Sequence, residues 1–176
     1  MKPSNLLRFI LPCFAFAVIP AANAATATAT FQVLITILKS CSVTAGASSN
    51  INLGSVNASA TNTSGNSTIS VNCSKTTPYF IGLAPSTANG GGTGGEGAMS
   101  SVANAATNTD KVPYQLNQTS ATGPVWGNTA TTTTVGNGVA GTGTGVAQTY
   151  TVYATAASAN FTPDSYADTV TVNVNY

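Results

Sequence analysis

From position 25 onward apolar side chains recur at every second residue. Ala25, Ala27, Ala29, Phe31, Val33, Ile35 and Ile37 share one face of an extended chain, because successive side chains on a strand point to opposite sides. The same period returns downstream with Ile69, Val71 and Cys73 in STISVNC, and YFIGLA at 79–84 is a short apolar run. VPYQL at 112–116 carries its proline near the strand start, where a missing donor is tolerated. PVWG at 124–127, AQTYTVYA at 147–154 and DTVTVNVNY at 168–176 complete the set, and no helical period appears after residue 24. The pattern predicts about seven β-strands in an all-β chain. Three polar, glycine-rich stretches between them, SVNASATNTSGN, ANGGGTGGEGAMSSVANAATNTD and VGNGVAGTGTG, are expected to be loops. Strands of this number with one disulfide point to an immunoglobulin-like β-sandwich.

The residues ahead of the stripe set the compartment. Lys2 and Arg8 give a short positive region, an apolar run follows from Phe9 to Ile19, and Ala22-Asn23-Ala24 is a small-residue cleavage pattern. Residues 1–24 are expected to be a secretory signal peptide, cleaved after Ala24. A membrane anchor fits less well, since the run is well short of the roughly 20 residues a spanning helix needs.

Cleavage changes the charge and the cysteine count. Lys39, Lys75 and Lys111 remain against Glu96, Asp110, Asp164 and Asp168, a net charge of −1 that offers no basic patch to nucleic acid or anionic lipid. Only 5% of the chain is charged, so solubility must come from uncharged polar groups. Cys13 leaves with the signal, and Cys41 and Cys73 remain as an even pair in an exported protein, where a disulfide is expected. Closing that loop stabilises the fold by roughly 3–4 kcal/mol on the chain-entropy estimate.

Little here serves catalysis. The chain has no histidine, which removes the commonest general base and metal ligand. Asp164 and Asp168 flank Tyr166, but Pro163-Asp164-Ser165 reads as a turn into the last strand. The run Gly90–Gly97 has no lysine after its glycines and opens no helix, so it reads as a flexible loop rather than a phosphate cradle. The expectation is a protein that is not an enzyme, with no cofactor, no metal, no small-molecule substrate and no nucleic-acid partner.

What remains is a pair of stripes at the two ends. Val170, Val172, Val174 and Tyr176 alternate through the last residue. The N-terminal stripe is longer than a typical strand of about five or six residues and lies ahead of the first retained cysteine. A segment of that length can serve as two strands, the part nearest Cys41 in its own domain and the leading part in another. An ordinary sandwich with strands at both termini is the plainer alternative.

In order along the chain, SCSV, TISVNC, PYQL, VWG, VYA and SYADTVTVNVNY resemble the spore coat protein U domain family, which includes the major subunits of archaic chaperone-usher pili. The resemblance covers residues 25–176; the family often has Phe-Gly where this chain has Leu53-Gly54. It implies an incomplete immunoglobulin-like β-sandwich, completed by a donor strand from another chain. Residues 25–36 are then the donor extension and residues 37–176 the sandwich domain. The donor side chains would be Ala27, Ala29, Phe31, Val33 and Ile35, and the acceptor groove and chaperone-pairing strand would be Val170, Val172, Val174 and Tyr176. The implied partners are copies of the chain in a head-to-tail fibre, a periplasmic chaperone and an outer-membrane usher. The implied product is a cell-surface pilus for adhesion and biofilm formation. Three other readings stand beside it: a spore or cyst coat protein, a self-complete secreted adhesin or carbohydrate-binding sandwich, and an outer-membrane barrel, for which the chain has too few aromatic residues.

Overall fold

A computed structural model describes residues 24–176, so the predicted signal peptide, except Ala24, lies outside the described residues. The chain divides into a unit ending at Thr36 and a second unit, Ile37–Tyr176. In the first, the described residues form no strand, and Phe31, Val33 and Ile35 are 88%, 88% and 85% exposed. Among the described residues, the long stripe therefore takes part in no ladder. Strand pairing starts at Cys41, four residues beyond the end of the stripe at Ile37.

The described residues of the second unit form nine strands: β1 (Cys41–Thr44), β2 (Thr61–Cys73), β3 (Pro78–Pro85), β4 (Glu96–Ser101), β5 (Lys111–Asn117), β6 (Val139–Thr142), β7 (Gln148–Ser158), β8 (Tyr166–Ala167) and β9 (Val170–Asn175). One sheet has six strands in the order β1-β2-β7-β5-β4-β8; the other has three, β6-β3-β9, and every pairing is antiparallel. The core lies between them. Ile69 and Val71 of β2, Tyr114 and Leu116 of β5 and Val152 and Ala154 of β7 bury against Tyr79, Ile81 and Leu83 of β3. The alternation that predicted these strands is the alternation that fills the sandwich.

Three strands arise where loops were expected, and their inner positions explain why. β2 begins at Thr61, well before its apolar half, because its early inward residues are Thr63, Gly65 and Ser67 rather than hydrophobes. Gly65 is required there: a Cβ would meet the Asn52 carbonyl oxygen at 2.7 Å, since the Ile51–Leu53 segment lies directly against it. β4 lies inside the longest glycine-rich stretch and takes in Glu96 and Gly97 of the expected flexible loop, and β6 lies inside the last stretch. Conversely, PVWG is not a strand. It makes a single bridge, Asn117 to Val125, and then drives Trp126 into the core, where its Nε1–H donates to the Ile81 carbonyl at 2.9 Å. That burial leaves Trp126 unavailable for stacking on a sugar.

Cys41 and Cys73 are bonded and stand directly opposite in the β1–β2 register, with Cα atoms 4.1 Å apart. Beside the bond, the Ser74 N–H donates to the Ser40 carbonyl at 2.9 Å and the Ser40 N–H to Ser74 Oγ at 3.0 Å. Four residue pairs at a sheet edge make a weak ladder alone, so the disulfide fixes β1 in place. Reduction of the purified protein is expected to lower its unfolding free energy by roughly 3–4 kcal/mol, read from denaturant melts with and without a thiol reductant.

Asp164, ahead of β8, and Asp110, ahead of β5, tie loops together. Asp164 Oδ2 accepts from Ser101 Oγ at 2.6 Å and from Asn108 Nδ2 at 2.9 Å, and these bonds hold its carboxyl down at about 2. Asp110 is also lowered, chiefly by the Thr162 backbone N–H that donates to its Oδ2. Both groups are depressed relative to an unfolded value near 3.9. Their contribution is therefore complete above about pH 4 and is lost as pH falls toward 2. Asp164→Asn should flatten the decline in melting temperature between pH 4 and pH 2; an unchanged acid limb would remove Asp164 from the cause.

Candidate functional site: an open cleft beside β9

The two sheets do not match in width. Six strands face three, and the inner surface of the wider sheet is left partly uncovered as a cleft of about 500 Å³. Ile69, Met99, Leu116, Val152 and Ala154 line it from the six-stranded sheet, and Leu83, Val170 and Val172 from the three-stranded one. Ile51 and Leu53 close the side toward β2, and Tyr166–Thr169 close the side toward β8. The lining is chiefly apolar.

β9 borders this cleft with one edge unused. It pairs residue by residue with β3, from Phe80 opposite Asn175 to Pro85 opposite Val170, and its other side has no strand among the described residues. Such an edge presents a row of free N–H and C=O groups. The inward parity of β9 turns Val170 and Val172 toward the cleft, opposite Pro85 and Leu83. Val174, opposite Ile81, packs on the core but is not part of the cleft lining, and Tyr176 lies past the end of β9, 47% exposed. Of the four acceptor residues expected from sequence, the structure thus places two on the cleft.

Most of the cleft was not singled out in the sequence. Leu83, Leu116 and Val152 sit at inward positions of predicted strands, so strand parity alone could have nominated them. Ile51 and Leu53 could not be found that way, because they lie in an unpaired stretch ending at Gly54, whose φ of +82° puts it in the left-handed region that favours glycine. Met99 was hidden in the glycine-rich stretch.

One polar cluster stands at the β8 side. Tyr114 is buried, and its OH donates to Asp168 Oδ2 at 2.7 Å, while Asn89 Nδ2 donates to Asp168 Oδ1 at 2.8 Å. Lys111 Nζ in turn donates to Asn89 Oδ1 at 2.6 Å. Burial and the neighbouring carboxylate both push the Tyr114 phenol well above its ordinary range, so it stays a neutral donor. Asp164 and Asp168 thus serve two separate hydrogen-bond clusters and do not form an acid–base pair.

The residues expected from sequence to act as a donor are exposed, on a segment that joins no ladder among the described residues. Ala27, Ala29, Phe31, Val33 and Ile35 share one face by parity, and the other face carries Leu34 and Leu38, which are 82% and 78% exposed. This much bare apolar surface on one segment marks an interaction surface.

The family model described as Spore Coat Protein U domain matches residues 27–173. No curated protein matches the chain. Among solved structures, a chain of the CsuC–CsuE chaperone–tip adhesion subunit pre-assembly complex, from archaic chaperone-usher Csu pili of Acinetobacter baumannii, is similar to it. The TM-score is 0.52 at 22% identity, over 80% of this chain and 41% of that one. The likeness at that identity is one of fold, and this chain spans about two fifths of its neighbour's length.

Proposed function

The chain belongs to the Spore Coat Protein U domain family, and on that footing we propose that it is a structural subunit of a chaperone-usher pilus, polymerising by donor-strand complementation. The observation that carries the reading is the apolar cleft beside the unused edge of β9, in a chain whose residues 27–35 present an unpaired apolar stripe. The leading segment of one subunit adds to β9 of the next. Main-chain hydrogen bonds supply affinity along the edge, and Phe31, Val33 and Ile35 fill the cleft with Ala27 and Ala29 at its shallow end. Burying those three large side chains contributes roughly 5–9 kcal/mol as an upper figure, before ordering costs. The contact is head-to-tail and does not close on itself, so the product is a fibre at the cell surface. Before assembly a periplasmic chaperone lends a strand to the same edge, and an outer-membrane usher exports the subunit.

A coat on a spore or cyst, which the family's name suggests, would use the same contact on a different surface. Genes for a chaperone and an usher beside this one favour the pilus; their lack favours the coat.

The test compares the mature chain with and without residues 25–35, each expressed with the candidate chaperone, by electron microscopy and unheated gel electrophoresis. Full-length protein should form fibres and SDS-resistant ladders that the deletion abolishes, whereas a stable monomer in both forms would sink the reading. Phe31→Ala should leave the chaperone-bound subunit folded and weaken each subunit contact by about 3–5 kcal/mol, seen as ladders that dissociate at lower temperature.

A further inference from the structure

The chain passes from β8, the edge of the six-stranded sheet, to β9, the edge of the three-stranded sheet, in two residues, Asp168 and Thr169. This crossing is the β8-side wall of the cleft. Where β9 stands relative to the wider sheet is therefore set here. The Asp168 carboxylate is bonded on both sides of the gap, to Tyr114 on β5 in the six-stranded sheet and to Asn89 in the short 3-10 turn Thr87–Asn89 that follows β3.

The Tyr114 ring itself spans the space between the sheets. It lies over Gly97 of β4, where an added Cβ would meet its Cζ and OH at 2.5 Å, and that same Cβ would meet Pro85 Cβ of β3 at 2.8 Å. The phenol thus stands between a strand of one sheet and the end of a strand of the other, with its hydroxyl anchored on the crossing. The opposing walls of the empty cleft are apolar, Leu83 and Val172 facing Leu116 and Val152, and closing them would remove apolar surface from water. A fixed spacer at one side opposes that collapse.

We propose that Tyr114, held by Asp168 and Asn89, is a positioning residue that keeps the empty cleft open to an incoming strand. The proposal rests on the donor-strand reading and names the group that sets how readily the acceptor is available. A strand captured from solution enters only the open form, so the apparent association rate scales with the open fraction. Once the strand is seated, it holds the sheets apart itself, and the strut no longer matters. Loss of the strut should then slow association and leave dissociation nearly unchanged.

The experiment mixes the full mature chain, released from its chaperone, with a fluorescent peptide of residues 25–38 and follows capture and chase by anisotropy. Tyr114→Phe removes only the hydroxyl. Its association rate is expected to fall about tenfold, the scale of losing one hydrogen bond to a charged group, with dissociation within about twofold of wild type. Asn89→Ala leaves the Tyr114–Asp168 bond in place and provides a second variant, expected at about threefold slower association, should Tyr114→Phe fail to fold. Wild-type protein that captures no peptide would overturn the donor-strand reading and the strut with it. Capture by wild type and by both variants at equal rates would overturn the strut alone, as would dissociation accelerated in step with a lower melting temperature, the signature of a residue that merely stabilises the fold.

Discussion

The mismatch between six strands and three governs the rest of this structure. A sandwich is stable when each sheet covers the apolar face of the other, and here the narrower sheet ends at β9 while the wider one continues beneath it. The buried core from Ile69 to Val152 is complete where β3 lies over it and opens into the cleft beyond β9. Apolar surface and backbone donors are exposed along one line, so a single extended segment could cover both. A flat partner would satisfy only one of them.

The regions of the fold that bury hydrophobes were legible in the sequence. The apolar half of β2, β3, β5, β7 and β9 all carry alternating or continuous apolar residues, and with Cys13 assigned to the expected signal peptide the remaining cysteines, Cys41 and Cys73, formed an even pair. What escaped is built from small residues. β4, β6 and the first half of β2 place only two large hydrophobes inward, Met99 and Val139, and otherwise face inward with glycine, serine and threonine, because a bulkier segment or ring from elsewhere occupies the space at their glycines: Ile51–Leu53 over Gly65, Tyr114 over Gly97, Tyr79 over Gly141. A pattern of hydrophobicity cannot register a strand whose inner side chains are supplied by its neighbours. The cleft was half legible for the same reason. Val170 and Val172 announced themselves by alternation, whereas Tyr114 and Asp168 matter through a hydrogen bond between residues 54 positions apart.

The scarcity of charge shapes how the loops are held. With so few ionisable groups, two of the carboxylates each gather several neutral donors: Ser101 and Asn108 converge on Asp164, and Tyr114 and Asn89 on Asp168. Hydrogen bonds from neutral groups to a carboxylate are stronger than bonds between neutral groups and do not weaken with salt as an exposed ion pair does. The same economy appears in the core, where the Tyr79 and Tyr150 hydroxyls bond to each other at 2.6 Å and Trp126 donates to a backbone carbonyl.

The position of the disulfide has a mechanical meaning. Cys41 is the first paired residue after the leading segment, and Cys73, its covalent partner, is the last residue of β2, a short turn before Pro78 opens β3. Tension drawn along the segment ahead of Cys41 therefore crosses two sulfur atoms and enters β3, the central strand of the narrow sheet, whose ladder to β9 runs the length of the cleft wall. It bypasses the four-pair β1–β2 ladder, which would otherwise be peeled open one hydrogen bond at a time. Through this covalent shortcut, a load applied ahead of Cys41 would reach β3, the strand paired with β9, without having to open the β1–β2 ladder.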